Sequence, residues 1–136
     1  MRKITKTLVA ILLIAILSMA SITAFANESI SPRLSHADGA NFYFSATANG
    51  GYVDVTYYCY DSFVRADLTV KIEKQFLLFF WTEVDTWSAS STEIDGMFSH
   101  VFNLSGSGTY RASFTLKVTG NDGTVDTITS EIKSKY

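Results

Sequence analysis

The amino-acid sequence predicts one all-β domain, a single antiparallel β-sandwich of about seven strands, behind a signal peptide. Three observations predict it. From Ala40 onward apolar and polar residues alternate with a period of two, the spacing that sends successive strand side chains to opposite faces. The alternating segments are short and are separated by Gly, Asn, Asp and Ser, residues that turn a chain. After residue 26 no segment sustains a 3.6-residue apolar period, so little or no helix is expected.

The first element is the leader. Arg2, Lys3 and Lys6 precede an uninterrupted apolar run at 8–17 and an Ala24-Phe25-Ala26 site, the three parts of a secretory signal peptide. Cleavage after Ala26 is expected. A membrane-spanning helix needs about twenty apolar residues, and Ser18, Ser21 and Thr23 interrupt the run before that length. The single cysteine, Cys59, lies far from residue 26 and offers no lipid attachment there. The released chain would comprise an N-terminal segment at 27–39 and the sandwich at 40–136, secreted into the extracellular space or held at the cell wall.

The strands follow in order. Segments 42–48 and 52–60 come first, parted by Asn49-Gly50-Gly51, which supplies the positive φ angles of a tight hairpin. Next, Ala66, Leu68, Val70 and Ile72 alternate with Arg65, Asp67, Thr69, Lys71 and Glu73. Strands are expected at 76–87 and 97–104, with the Ser- and Thr-rich stretch 88–95 a loop crossing between sheets. Tyr110, Ala112, Phe114, Leu116 and Val118 form a second clean alternation, and 124–132 closes the set behind an Asn121-Asp122-Gly123 turn. One boundary has no marker: between Glu73 and Trp81 there is no strong turn former.

Charge and cysteine usage exclude several functions. Without the leader, eight basic residues face thirteen acidic ones, a formal charge of −5 over 110 residues. Nucleic-acid binding, which needs clustered Lys and Arg against phosphate, is not expected, and plain electrostatic adsorption to anionic lipid is disfavoured. One cysteine allows no intramolecular disulfide, so packing must carry stability. Neither a nucleophile elbow, an H-E-x-x-H motif nor a phosphate loop occurs. No enzyme, metal or cofactor is therefore expected. Glu83 and Asp85 could share a strand face with Trp81 and Trp87, but two acids at i and i+2 are common by chance. The acids near Glu93, Asp95 and Asp122 lack calcium-loop spacing and read as turn formers. His36 and His100 are too few and too far apart for zinc and are expected on the surface or in loops. The sequons at Asn27 and Asn103 matter only in a host that glycosylates its exports.

Gly106-Ser107-Gly108-Thr109-Tyr110-Arg111-Ala112 resembles the approach to strand F of immunoglobulin-type domains, where a Gly-x-Tyr forms a tyrosine corner whose hydroxyl bonds nearby backbone. The antibody pattern has a cysteine two residues later; here Ala112 stands in that place. A wider likeness is carried by Pro32-Arg33, Lys74, Trp81 with Val84 and Trp87, and Gly108-Thr109-Tyr110-Arg111. In these the chain resembles a group of short secreted proteins of Gram-positive bacteria. The resemblance implies an immunoglobulin-like sandwich and no known enzyme activity, and it transfers no functional residues.

Two surfaces are candidates for contact. Phe76, Leu77, Leu78, Phe79, Phe80 and Trp81 are six large apolar residues in succession. One reading covers them on both sides within the core. The other makes Phe76, Phe79, Phe80, Trp81 and nearby Trp87 an exposed ledge that docks on a protein, a membrane or a second copy. A weaker candidate is the row Tyr52, Tyr58 and Tyr60 with Asp54 and Thr56, which could stack sugar rings or serve as ordinary cross-strand pairs. Cys59, on the apolar side of that strand, reads as a small buried hydrophobe. The function expected is a secreted non-enzymatic binding or structural module. The alternatives are a membrane-active or antimicrobial effector using 76–81 and a carbohydrate-binding module; the expected partners are thus a protein, a glycan or a membrane surface, with weak self-association in view.

Overall fold

The computed structural model describes residues 34–136; the expected leader, the Asn27 sequon and Pro32-Arg33 lie outside the described residues. Seven strands follow in order: β1 (Ala37–Thr47), β2 (Gly50–Cys59), β3 (Phe63–Phe76), β4 (Phe80–Ser91), β5 (Asp95–Phe102), β6 (Thr109–Gly120) and β7 (Val125–Lys135). They form two antiparallel sheets, β1-β2-β5 and β4-β3-β6-β7, and among the described residues there is no helix. The chain changes sheets after β2, β4 and β5.

The alternation explains the core. Val53 and Val55 of β2 form one buried cluster with Leu68 and Val70 of β3 and Phe114 and Leu116 of β6, while Asp54, Thr69 and Lys117 between them are outside it. Each such side chain fully removed from water contributes on the order of 1.5–3 kcal/mol. Both β3 and β6 are central strands, and each buries every second residue over most of its length.

One corner between the sheets is closed by hydrogen bonds. Asp126 Oδ2 on β7 accepts the backbone N–H groups of Ser35, His36 and Ala37 at 2.8, 2.6 and 3.0 Å. Further along, the Ala46 N–H donates to Ser134 Oγ at 2.9 Å. Burial pushes the Asp126 carboxyl up, yet the three N–H groups and nearby His36 together hold it below its ordinary value. Between β5 and β6, the Tyr110 hydroxyl lies 2.9 Å from the Ser105 carbonyl and 2.7 Å from that of Gly106, donating to this pair.

Several expectations need correction. β1 begins at Ala37, ahead of Ala40, because Ala37 is buried and pairs with Cys59. The strand expected at 76–87 is broken: Phe76 ends β3, residues 77–79 turn, and Phe80 starts β4. β4 then continues to Ser91, so half of the loop expected at 88–95 belongs to β4, with Ala66 pairing Ser91 and Leu68 pairing Ala89. His36, expected on the surface or in a loop, lies in the bend before β1 but is 3% exposed. Its Nδ1 lies 2.7 Å from Ser62 Oγ, and its Nε2 lies 2.6 Å from Thr124 Oγ1 and 3.1 Å from Asp122 Oδ1. It sits where no side chain occupies position 120: a Cβ on Gly120 would stand 2.1 Å from the His36 ring. His100 belongs to β5 rather than a loop and stacks on Trp87, ring centres 4.4 Å apart.

Candidate functional site

The ladder between β3 and β6 ends at the pair Lys74 and Tyr110. The ladder between β3 and β4 continues through Gln75–Trp81 to Phe76–Phe80. The β3–β4 hairpin therefore extends beyond its neighbour in the sheet, and its turn is made of Leu77, Leu78 and Phe79. Among the described residues none covers it: from Phe76 to Phe80, five consecutive large apolar residues are 60–82% exposed, Phe79 the most. Single exposed apolar side chains are ordinary on a protein surface, but a contiguous group marks a contact site.

The backbone of the tip is unusual in the same place. Leu77 has φ of 55°, the left-handed region that costs a non-glycine residue about 1–2 kcal/mol. A Gly or Asn there would relieve it. Gln75 steadies the turn, its side-chain amide donating to the Leu78 carbonyl at 3.0 Å.

At the base of the hairpin the two tryptophans part company. A register shift between Ile72 and Glu73 places Trp87 opposite the core residue Val70 and Trp81 opposite Gln75. Trp87 points inward, packing on the core and on His100. Trp81 is half-buried beneath two cations, Arg111 with its guanidinium carbon 4.3 Å from the ring centre and Lys133 with Nζ at 5.4 Å. Arg111 Nε also donates to Glu73 Oε2 at 2.5 Å, which holds the Glu73 carboxyl below its ordinary value. Of the expected surface residues, then, Phe76, Phe79 and Phe80 form the tip, Trp81 forms its base, and Trp87 is removed to the core side. The same shift ends the expectation that Glu83 and Asp85 share one face with both tryptophans. Leu77 and Leu78 complete the tip. Beside it, a cleft of about 480 Å³ is lined by Lys74, Gln75, Phe76, Thr82, Glu83 and Ser105, among others.

The tyrosine row is real but differently composed. Tyr52 and Tyr58 stand exposed on the outer face of the three-stranded sheet. Tyr43 of β1 joins them, opposite Asp54 in register; sequence alternation in 41–46 marks its face, but only the pairing puts it beside Asp54. Ser99 Oγ donates to Asp54 Oδ1 at 2.6 Å, and a shallow depression of about 300 Å³ runs over Tyr52, Asp54, Ser99 and Val101. Tyr60 lies past the end of β2, its hydroxyl donating to Asp38 Oδ1 at 2.9 Å.

Cys59 is half-buried against the core. Burial first, then Asp95 and Asp126, pushes its thiol up to about 11, the reverse of what a nucleophile needs. Asp122 serves its turn, accepting from the Thr124 N–H at 2.9 Å and hydroxyl at 2.7 Å. Among the described residues no three His, Cys, Asp or Glu side chains gather as metal ligands, and no helix is long and apolar enough to cross a membrane. No protein-family model and no curated protein matches this sequence.

Proposed function

We propose that this chain is an exported, non-enzymatic binding module of immunoglobulin-like design whose contact surface is the hairpin tip at 76–80. The observation that carries the reading is the run of five exposed apolar residues at a projecting turn, held there although Leu77 adopts a backbone conformation that disfavours leucine. A chain selected only to fold would place glycine at 77 and polar residues at the tip. An apolar tip maintained against both preferences points to a role outside folding.

The immunoglobulin-like assignment draws on two features. β1, β2 and β5 share one sheet and β3, β6 and β7 the other, as strands A, B, E and C, F, G do in that class; β4 differs from the constant-domain pattern by lying beside β3. Tyr110, at the start of β6, bonds backbone four and five residues upstream, the geometry of a tyrosine corner. The non-enzymatic reading is supported by how the reactive groups are used: His36, Asp126, Glu73 and Tyr110 are each committed to partners that hold the fold together. Export is supported by the leader pattern at 1–26.

The test is adsorption of the protein, released from its leader, to envelopes of the organism that makes it. Wild type is expected to sediment with the envelopes, and the variant carrying Phe79→Ser and Phe80→Ser to stay in solution with an unchanged circular dichroism spectrum. Equal partition of the two proteins contradicts the proposal. A second reading, sugar binding over Asp54, is favoured by the depression between Tyr52 and Val101; retention on a glycan array that Tyr52→Ala abolishes would support it.

A further inference from the structure

We infer that the occupant of the tip is the interfacial layer of an anionic lipid bilayer, into which residues 76–80 insert while the cations behind them face the headgroups. The inference rests on the reading of the tip as the contact surface and adds the chemical class of its partner.

Shape favours lipid. The tip projects past the end of the β3–β6 ladder, and its five side chains are each mostly exposed. A protein partner would need a cavity moulded to that projection, whereas a fluid acyl layer conforms to it. Apolar groups buried to the headgroup boundary bind in proportion to their area. Backbone polar groups entering such a medium need internal partners, and Gln75 supplies one to Leu78.

The distribution of charge, which the chain total conceals, favours it as well. Among the described residues, Lys71, Lys74, Arg111, Lys133 and Lys135 lie in the tip half of the four-stranded sheet, against Glu73, Glu83, Asp85 and Glu131. The opposite end carries Asp38, Asp61, Asp67, Glu93, Asp95, Asp122 and Asp126, against only Arg65 and Lys117, and Asp54 lies midway along β2. The excess negative charge of the domain therefore sits away from the tip. Near an anionic surface this polarity turns the molecule tip first. Lys74, Lys133 and Lys135 take part in no ion pair among the described residues, and Lys74 Nζ donates instead to the Ser105 carbonyl at 2.8 Å. Each lysine close to an anionic leaflet is worth about a fivefold gain. The apolar tip supplies the insertion, and the lysines its lipid preference.

The experiment is flotation of the leader-free protein with vesicles of equimolar phosphatidylglycerol and phosphatidylcholine, and with phosphatidylcholine alone. Wild type is expected to float with the mixed vesicles several-fold more than with phosphatidylcholine. Phe79→Asp is expected to lower affinity for the mixed vesicles by roughly tenfold or more, the effect of withholding one aromatic ring from the apolar phase. Lys133→Glu with Lys135→Glu is expected to remove the preference for phosphatidylglycerol and leave the fold intact. The inference is overturned by no flotation of wild type, by equal flotation of Phe79→Asp, or by equal affinity for both vesicle types. It is also overturned if light scattering finds a dimer that Phe79→Asp dissociates while vesicles stay bare, which would make a second copy the occupant. Envelope adsorption that depends on Phe79 with bare vesicles leaves the tip as a contact surface and removes lipid as its partner. Loss of both removes both.

Discussion

The side-chain amide of Gln75 donates to the carbonyl of Leu78, so the last polar residue of β3 holds the turn that carries Leu77 in the left-handed region. Relieving that region should separate stability from binding. Leu77→Gly is expected to stabilise the domain by about 0.5–1 kcal/mol, the left-handed penalty less the extra freedom glycine gives the unfolded chain. The same change should weaken envelope adsorption. Urea midpoints read beside sedimentation check both halves.

Gly120 must remain without a side chain because the His36 ring occupies the space. That ring is buried and held between Ser62 and Thr124, so shifting it strains both hydrogen bonds. Gly120→Ala should cost about 1–3 kcal/mol as an overpacked site. A double-mutant cycle with His36→Ala should show a coupling of about 1 kcal/mol or more, since removing the ring empties the space. Equilibrium urea unfolding of the four proteins measures it.

Tyr110→Phe removes the hydroxyl that donates to the Ser105 and Gly106 carbonyls in the connection between β5 and β6, leaving Ser105 to Lys74 Nζ. A loss of about 1 kcal/mol is expected, and amide hydrogen exchange should accelerate at 105–108 ahead of the strands. The ring itself remains buried, so the core signal in near-ultraviolet circular dichroism should persist.

Asp126 and Glu73 are two of the carboxyls that contribute to the acid limit of stability. Both carboxyls lie below their ordinary values in the folded chain: for Asp126 three N–H donors and His36 together outweigh burial, and for Glu73 the Arg111 hydrogen bond leads. A lowered folded value means the unfolded chain binds protons first, so this stability is fully present above the ordinary carboxylate range, about pH 4. It is lost as pH falls through the folded values. Asp126→Asn should therefore be destabilised by about 1–3 kcal/mol at neutral pH. Urea midpoints taken against pH should show the two proteins converging in acid.

Much of the fold was legible because burial on two packed sheets writes itself into alternate residues. Ala66, Leu68, Val70 and Ile72 on β3, and Ala112, Phe114, Leu116 and Val118 on β6, are all buried, as their period requires. The turn at 77–79 was not legible, since turns announce themselves through Gly, Asn or Pro and here leucine takes the positive φ. β4 past Trp87 hid for the opposite reason: Ala89 and Ser91 alternate inward as small residues, with too little apolar contrast beside Ser88 and Ser90. The apolar run at 76–81 could be seen from sequence, but its exposure depends on where the β6 ladder stops, a long-range fact. His36 was missed because its partners stand 26 and 88 residues away.

Contact through the tip and contact through the tyrosine face leave different marks on the protein. Residue-resolved NMR of the isotopically labelled, leader-free protein, titrated with envelope fragments, separates them. Broadening is expected to begin at the amides of 76–81 and to leave Tyr43, Tyr52 and Tyr58 unchanged. Broadening centred on those tyrosines, with 76–81 still sharp, would rule out the tip as the contact surface.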